Sequence, residues 1–521
     1  MTPVSSDVEA RTESVPHMAK VTEKNDRRTP RIFHAVAWTG SAMWAVQLVN
    51  WAYIVILARI LSPSDYGLIG MASVPLGFSI VASECGIGNA VVMMLELTED
   101  QISQLNTLAV VCGIFLFAIS CLAAYPLGIF FRAPDLPMVV MVMSLALVIT
   151  SFKIVPDGLL QRDLRFKLLA QIQATEAVIY GVVAITSALL GARYWSLAIA
   201  NVASVTLSAL LVLSIRRHAF AWPRIKDLRR SLVFSTHVLG LRVAWYWNCN
   251  ADFAVVGRVL GKAALGTYSI AWNISQQPLQ KLTDLVTRVV PAYFAKLHND
   301  VAALRECVLM LTRTLALLTL PATLGLAVVA DDFVTVVFGA KWNGAVLPLR
   351  MLALFAATRS ITGFFVPLLN VVGQFRFAMW NHVLAALYFS VAFYFGSHWG
   401  VTGVALVWPL FYPCVALPLY LRVFKQIALP WARYWECVRP ALQASTMMVG
   451  AGILIRAVMP PSTSAVWRLV TVTVSGAAIY GVTLWVLHRE ELFRLYYLFL
   501  HRNKQPERSE VHPDTPCPEA V

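Results

Sequence analysis

Two stretches of this chain repeat each other: ARILSPSDYGLIGMA from Ala58 to Ala72, and GRVLGKAALGTYSIA from Gly257 to Ala271. Arg59, Leu61, Gly67 and Ala72 return as Arg258, Leu260, Gly266 and Ala271, all at an offset of 199. Further matches follow in the same order. FFRAP from Phe130 pairs with VFGAK from Val337 at an offset of 207, and GARYWSLAIA from Gly191 pairs with GSHWGVTGVA from Gly396 at 205. Pro156, followed by Arg165-Phe166, pairs with Pro367, followed by Arg376-Phe377, at 211. Each match alone is weak, but their shared order and drifting spacing are those of an old duplication, which sets the architecture before any motif does.

The duplicated segments are set in hydrocarbon-like sequence. Of 521 residues 58% are apolar and 13% charged, about half the charged share of roughly 25% in a soluble domain. Residues 1–31 and 489–521 together hold 22 of the 70 charges, so the interior is poorer still. Crossing about 30 Å of hydrocarbon takes about 20 apolar residues, and fourteen stretches qualify, from 34–57 to 467–487. The sequence therefore predicts an all-α polytopic membrane protein of about fourteen transmembrane helices. Six fall in each repeat, an N-lobe over 32–214 and a C-lobe over 232–425, with a basic linker at 215–231 and an appended helix pair at 426–488. An even number of spans per repeat gives both the same orientation, related by an axis along the membrane normal, with a transport site expected between them. The tails 1–31 and 489–521, rich in Pro and charge, are expected to be disordered.

The net charge of +14 would raise nucleic acid as a partner in a soluble protein. Membrane topology accounts for it instead. With the N-terminus in the cytoplasm, 31 of the 42 Lys and Arg residues fall on inner segments and nine on outer loops, the bias that orients polytopic proteins and here predicts two cytoplasmic termini. The 215–231 segment carries six basic residues, each worth about 1 kcal/mol at an anionic inner leaflet, so anionic lipids are expected partners there. The eight cysteines form no CxxC and no cluster with His at ligand spacing, so neither metal nor cofactor is predicted. The first apolar run starts after some thirty polar residues and is too long for a signal-peptide core, which makes it a retained helix.

ILARILSPSDYGLIGMA, the following GIGNAVV, GRVLGKAALGTYSIA, FGAKWNGAVLPLRMLAL and PDGLLQRDLRFK together resemble the polysaccharide-biosynthesis flippases, Wzx-type exporters of lipid-linked oligosaccharide repeat units. The resemblance covers residues 32 to 425 and implies the multidrug/oligosaccharidyl-lipid/polysaccharide exporter fold in a bacterial inner membrane. It implies a substrate too, a polyprenyl-pyrophosphate-linked glycan moved from the cytoplasmic to the periplasmic leaflet, with a polysaccharide polymerase and a chain-length regulator as partners.

Carrying a pyrophosphate through hydrocarbon calls for a cationic cavity, and Arg suits it because its fork donates several hydrogen bonds while staying charged. Arg242 and Arg359 lie deep in the seventh and tenth spans and are the first candidates. The structural alternative pairs each with a buried acid, Asp252 for Arg242. Glu84 and Asp284, at an offset of 200, and Asp252 are candidate coupling acids or structural carboxylates. Pro75 and Pro278 are matched candidate helix kinks, since interrupted helices at corresponding places point to a transport site. Gln47, Asn50 and Trp51 in the first span, and Trp247, Asn248 and Asn250 in the seventh, are candidate sugar contacts, with interfacial anchoring as the alternative for the tryptophans.

Two rival functions stand beside the flippase. One is another exporter of the same fold, for drugs or peptidoglycan precursors. The other is a membrane-embedded glycosyltransferase or ligase, which needs an outer acid/base couple. Asp331-Asp332 is the only adjacent acidic pair in an outer segment, and it reads as the solvated end of a helix, so the chain is not expected to be an enzyme. Reporter fusions check the topology: a fusion within 215–231 should report a cytoplasmic location, and a periplasmic signal there would overturn the helix count.

Overall fold

A computed structural model describes residues 46–84, 87–93, 97–216, 219–224, 245–276, 294 and 300–489. Arg242, Pro278 and Asp284 lie outside them, as does the side chain of Glu84. All regular structure in the described residues is helical, and ten stretches are long and apolar enough to cross a membrane. One of these, Phe375–Gln426, holds two helices joined by a short turn at Ser397–Trp399.

The first unit contains α1 (Val46–Ile60), most of α2 (Pro63–Glu84), α3 (Ile87–Met93), α4 (Glu99–Phe131), α5 (Leu136–Arg162), α6 (Phe166–Leu189) and α7 (Trp195–Ile215). Thr98 caps α4 reciprocally with Gln101, which satisfies two of the amides a helix start leaves bare. Small residues let these helices approach closely, as at Gly113 against Ser151, Gly158 against Val91 and Gly181 against Tyr53. That is how helices pack where lipid removes the hydrophobic drive between them. Ile87, Ile102, Leu105 and Val155 bring α3, α4 and α5 into one buried cluster.

The second unit contains α8 (245–255), α9 (262–276), α10 (Val301–Phe333), α11 (Val346–Thr362), α12 (Phe365–Val371), α13 (Phe375–Gly396), α14 (Gly400–Gln426), α15 (Trp431–Val458) and α16 (Ala465–Leu487). π-helical turns at Val256–Leu260 and Val334–Phe338 each end on a glycine with positive φ, Gly261 at 85° and Gly339 at 96°. Only glycine takes that conformation without a Cβ clash. The stretch expected to cross as a single span at 346–368 lies within one apolar run, Ala340–Val371, whose helix is interrupted by a turn at Gly363-Phe364, just before Pro367. Pro75 sits within α2, where its carbonyl accepts from Ser79 Oγ at 3.1 Å.

Asp331 and Asp332 are not the solvated helix end that the sequence suggested. Asp331 accepts from Arg350 at 2.5 Å and Arg456 at 2.9 Å, and Asp332 from Arg468 at 2.9 Å. Asp332 is almost wholly buried. Arg456 belongs to α15 and Arg468 to α16, so three arginines from separate helices neutralise two adjacent carboxylates and tie the C-terminal pair of helices to α10. Adjacent carboxylates would repel each other strongly without such partners.

The nine residues Pro63–Met71, from the first repeat sequence, pack with the second unit. A Cβ on Gly67 would overlap the carbonyl oxygen of Lys262, and a Cβ on Gly266 would overlap that of Pro63. Pro63 and Lys262, like Gly67 and Gly266, are separated by 199 residues, so the contact is reciprocal under the repeat register. Reciprocity of this kind is the mark of a two-fold relation, and backbones this close favour Cα–H to carbonyl contacts. Gly70 and Ser269, again 199 apart, face each other one turn further on.

A methyl group at either glycine has to push two backbones apart, an overpacking cost of about 1 to 3 kcal/mol. Gly67→Ala and Gly266→Ala should each lower the thermal midpoint of the purified protein. Gly450→Ala and Gly481→Ala, where nothing lies within 4 Å, should be neutral or stabilising. Equal behaviour of the two groups would contradict the close crossing.

Candidate functional site

Within the second unit, α8, α9, α11 and α14 bring together an acid, a cation and a wall of aromatic rings. Asp252, on α8, has no solvent exposure. Its Oδ2 accepts from Tyr268 OH of α9 at 2.5 Å and from Trp408 Nε1 of α14 at 3.2 Å, while Oδ1 accepts from the Phe253 amide at 2.9 Å. The Tyr268 phenol fixes the acid's direction, because its own oxygen also accepts from Trp408 Nε1 at 3.0 Å. A carboxylate removed from water is tolerable when its lone pairs are met this way. The arrangement makes Asp252 a clasp joining three helices. Trp408 stacks on Phe355 at 4.5 Å and meets Phe389, Phe393 and Trp272 at 4.8 to 5.5 Å.

Arg359 lies over the Phe355 ring, with Cζ 5.8 Å from its centroid. The side chain is half-buried, and its Nη1 donates to Gln276 Oε1 at 3.4 Å, a long bond to a neutral group. Gln276 is itself buried and spends its amide nitrogen on the Leu352 carbonyl at 3.3 Å. Among the described residues no carboxylate pairs with Arg359. One turn on, Thr362 shares a hydrogen bond of 2.6 Å with Tyr412, whose ring stands edge-on to Phe355 at 5.0 Å.

The amide candidates divide. Asn250 donates to the Tyr246 carbonyl of its own helix at 2.9 Å, and Trp247 donates to Ser390 at 3.0 Å. Among the described residues Asn248 keeps its buried Oδ1 without a donor, and in the first unit the buried Gln47 keeps its Nε2 without an acceptor. Asn50, also in the first unit, is half-buried. An unmet buried amide costs about 1 to 3 kcal/mol unless something arrives to satisfy it, which singles out Asn248 and Gln47.

Sequence reasoning passed over a second polar cluster, in the first unit. Lys153 of α5 donates to Glu176 of α6 at 3.4 Å and to Ser208 of α7 at 2.8 Å, with Asp157 within electrostatic reach of both charges. Glu176 stands well inside an apolar run, and that intramembrane charge was the available signal. Among the described residues no group of three His, Cys, Asp or Glu side chains is arranged to hold a metal.

A multi-pass helical bundle with polar groups buried at this depth is the build of a membrane transporter. The fold matches that of a solved structure described as the lipid II flippase MurJ in an inward closed conformation, with a TM-score of 0.73 and 14% identity over 88% of this chain and 100% of that one. The chain belongs to the polysaccharide biosynthesis protein family, whose profile matches residues 56–347. Relatives include the lipopolysaccharide biosynthesis protein WzxC of Escherichia coli, 29% identical over 62% of this chain and 66% of that protein. The succinoglycan biosynthesis transport protein ExoT of Rhizobium meliloti is 26% identical over 90% of this chain and 96% of that protein.

The two polar groups should respond oppositely to removal. Tyr268→Phe strips a donor from a buried carboxylate and should destabilise the protein by about 1 to 3 kcal/mol. Arg359→Gln leaves no acid behind and removes a cation that is costly in hydrocarbon, so stability should be unchanged or raised. Thermal unfolding in detergent measures both, and a large loss for Arg359→Gln would make that arginine a structural element.

Proposed function

We propose that this chain is a flippase that moves a polyprenyl-pyrophosphate-linked oligosaccharide repeat unit from the cytoplasmic to the periplasmic leaflet of a bacterial inner membrane. The observation that carries the reading is Arg359, a half-buried cation on an apolar helix with no acid beside it among the described residues. A cation in hydrocarbon costs at least about 2.5 to 3.5 kcal/mol, and a pyrophosphate supplies the missing charge during each passage. Membership of the polysaccharide biosynthesis family supports a glycan carrier. Asp331 and Asp332 are both engaged by arginines, which argues against an acid/base couple and hence against a transferase or ligase.

In this reading the chain has fourteen spans in two lobes of six plus an appended pair, with both termini cytoplasmic. Arg242 joins Arg359 as a headgroup contact, Asn248 and Gln47 offer unmet amides to sugar hydroxyls, and Glu84 and Asp284 serve as coupling acids or as structural carboxylates. Asp252 holds the aromatic wall on which the site is built. Arg59, Arg258 and Lys262 lie on the outer side, so the α2–α9 crossing at Gly67 and Gly266 closes the periplasmic end and has to part for release. A polymerase and a chain-length regulator receive the product, and the 215–231 segment rests on anionic lipid.

Deleting the gene should abolish a surface or secreted polysaccharide and strand lipid-linked repeat units on the cytoplasmic leaflet. In the complemented strain, export per inserted molecule should fall ten-fold or more for Arg359→Ala, as expected when charge-assisted bonds of roughly 1.5 to 3 kcal/mol are lost. Arg359→Lys should recover part of it, because charge remains without the planar fork. Full export per molecule in both Arg242→Ala and Arg359→Ala would remove the arginines from the mechanism.

A further inference from the structure

Where α14 gives way to α15, the chain turns through Ala428, a non-glycine residue at φ 48°. The Leu429 amide returns to the Phe424 carbonyl at 2.9 Å and the Ile427 amide to that of Val423 at 3.0 Å, so the turn is fixed from within. Around it lies an open cavity of about 620 Å³ lined by Arg305, Lys425 and Arg433, with Trp431 and Phe424 among its walls and no carboxylate among the lining residues. Arg305 Nε donates to the Ile427 carbonyl at 3.1 Å, which aims its fork while its terminal nitrogens make no bond among the described residues. Lys425 and Arg433 are exposed and have no partner among the described residues. α15 opens at Trp431 with no side chain capping its first turn, which adds the positive end of a 28-residue helix.

Three cations and an uncapped helix start in one hollow call for an anion, and the surroundings say which kind. Trp431 is half-exposed and packs on Phe424 at 4.5 Å, while Leu421, Trp435 and Leu417 are each at least half-exposed on the same two helices. Tryptophan beside basic residues at the end of an apolar helix marks headgroup depth. We propose that this cavity binds the phosphate of an acidic phospholipid of the cytoplasmic leaflet, with the acyl chains running along the exposed apolar faces of α14 and α15. The side of the membrane follows from the proposed topology; the binding itself does not depend on which glycan is carried. The phosphate chemistry is shared with the polyprenyl-linked substrate, and the exposed position on the outside of α14 and α15 favours the bilayer's own lipid.

Native mass spectrometry of the full-length protein, exchanged into detergent with equal amounts of phosphatidylglycerol and phosphatidylcholine, tests the assignment. Phosphatidylglycerol should be retained at least ten-fold over phosphatidylcholine. The triple variant Arg305→Gln/Lys425→Gln/Arg433→Gln should lose most of that preference while keeping its thermal midpoint in phosphatidylcholine. Lys425→Gln alone, at an exposed position with no described partner, should weaken it by a smaller factor and serves if the triple variant fails to fold. Undiminished retention in the variants would overturn the site. Selective displacement by polyprenyl phosphate at equal concentration would overturn the bilayer lipid as its occupant. Transport is not read, so loss of the flippase assignment would leave this result standing.

Discussion

The backbones of α2 and α9 touch where Gly67 and Gly266 present no side chain, and the placement of Pro63–Met71 with the second unit rests on that contact. Any larger residue at either position would meet a carbonyl oxygen head-on. Because the same offset of 199 relates both glycines and both carbonyls, one duplication event accounts for the two halves of the contact. Gly70 and Ser269 continue it in the next turn, and the aromatic edge contact of Tyr66 with the buried Trp342 at 5.5 Å braces its other side. α2 thus starts in one unit and ends in the other.

Away from the crossing, polar groups follow the rule that hydrocarbon offers no water to fall back on. Asp252 has three donors, Lys153 has Glu176 and Ser208, and the Asp331-Asp332 pair has three arginines. Each cluster ties separate helices together, so each is a fastening of the fold as well as a settled charge. Arg359 departs from the pattern: among the described residues it meets the Phe355 ring and a long bond to Gln276, and no carboxylate. In the proposed function Arg359 receives a passing anion, and a cation already paired would have to break that pair at every cycle.

Much of the fold was legible because membrane helices announce themselves by length and composition. The repeat register was legible too, down to the glycines of the crossing, since a position that excludes even a Cβ is held as glycine in both copies. The break at Gly363-Phe364 within the tenth apolar run escaped the reading because hydropathy is blind to backbone direction. Asp331-Asp332 was misread for a related reason: its partners Arg456 and Arg468 lie more than a hundred residues away, and no local pattern ties them to it. The site was legible only in part. Arg359 showed as an isolated intramembrane charge, yet that no described carboxylate reaches it is legible only in three dimensions. Glu176 carried the same signal as Arg359 and was passed over, and the aromatic wall around Trp408 looks in sequence like any apolar helix.

The central claim is that the crossing of α2 and α9 parts and recloses as the glycan headgroup passes. Gly70 and Ser269 sit opposite each other, with Ser269 Oγ 3.3 Å from where a Cβ on Gly70 would stand, so Gly70→Cys with Ser269→Cys, in a chain whose native cysteines are replaced, provides a reversible lock. Measuring glycan export before oxidation, after it, and after reduction decides the matter. The account predicts normal export in the reduced form, near-complete loss once the pair is cross-linked, and recovery on reduction; undiminished export by fully cross-linked protein would contradict it.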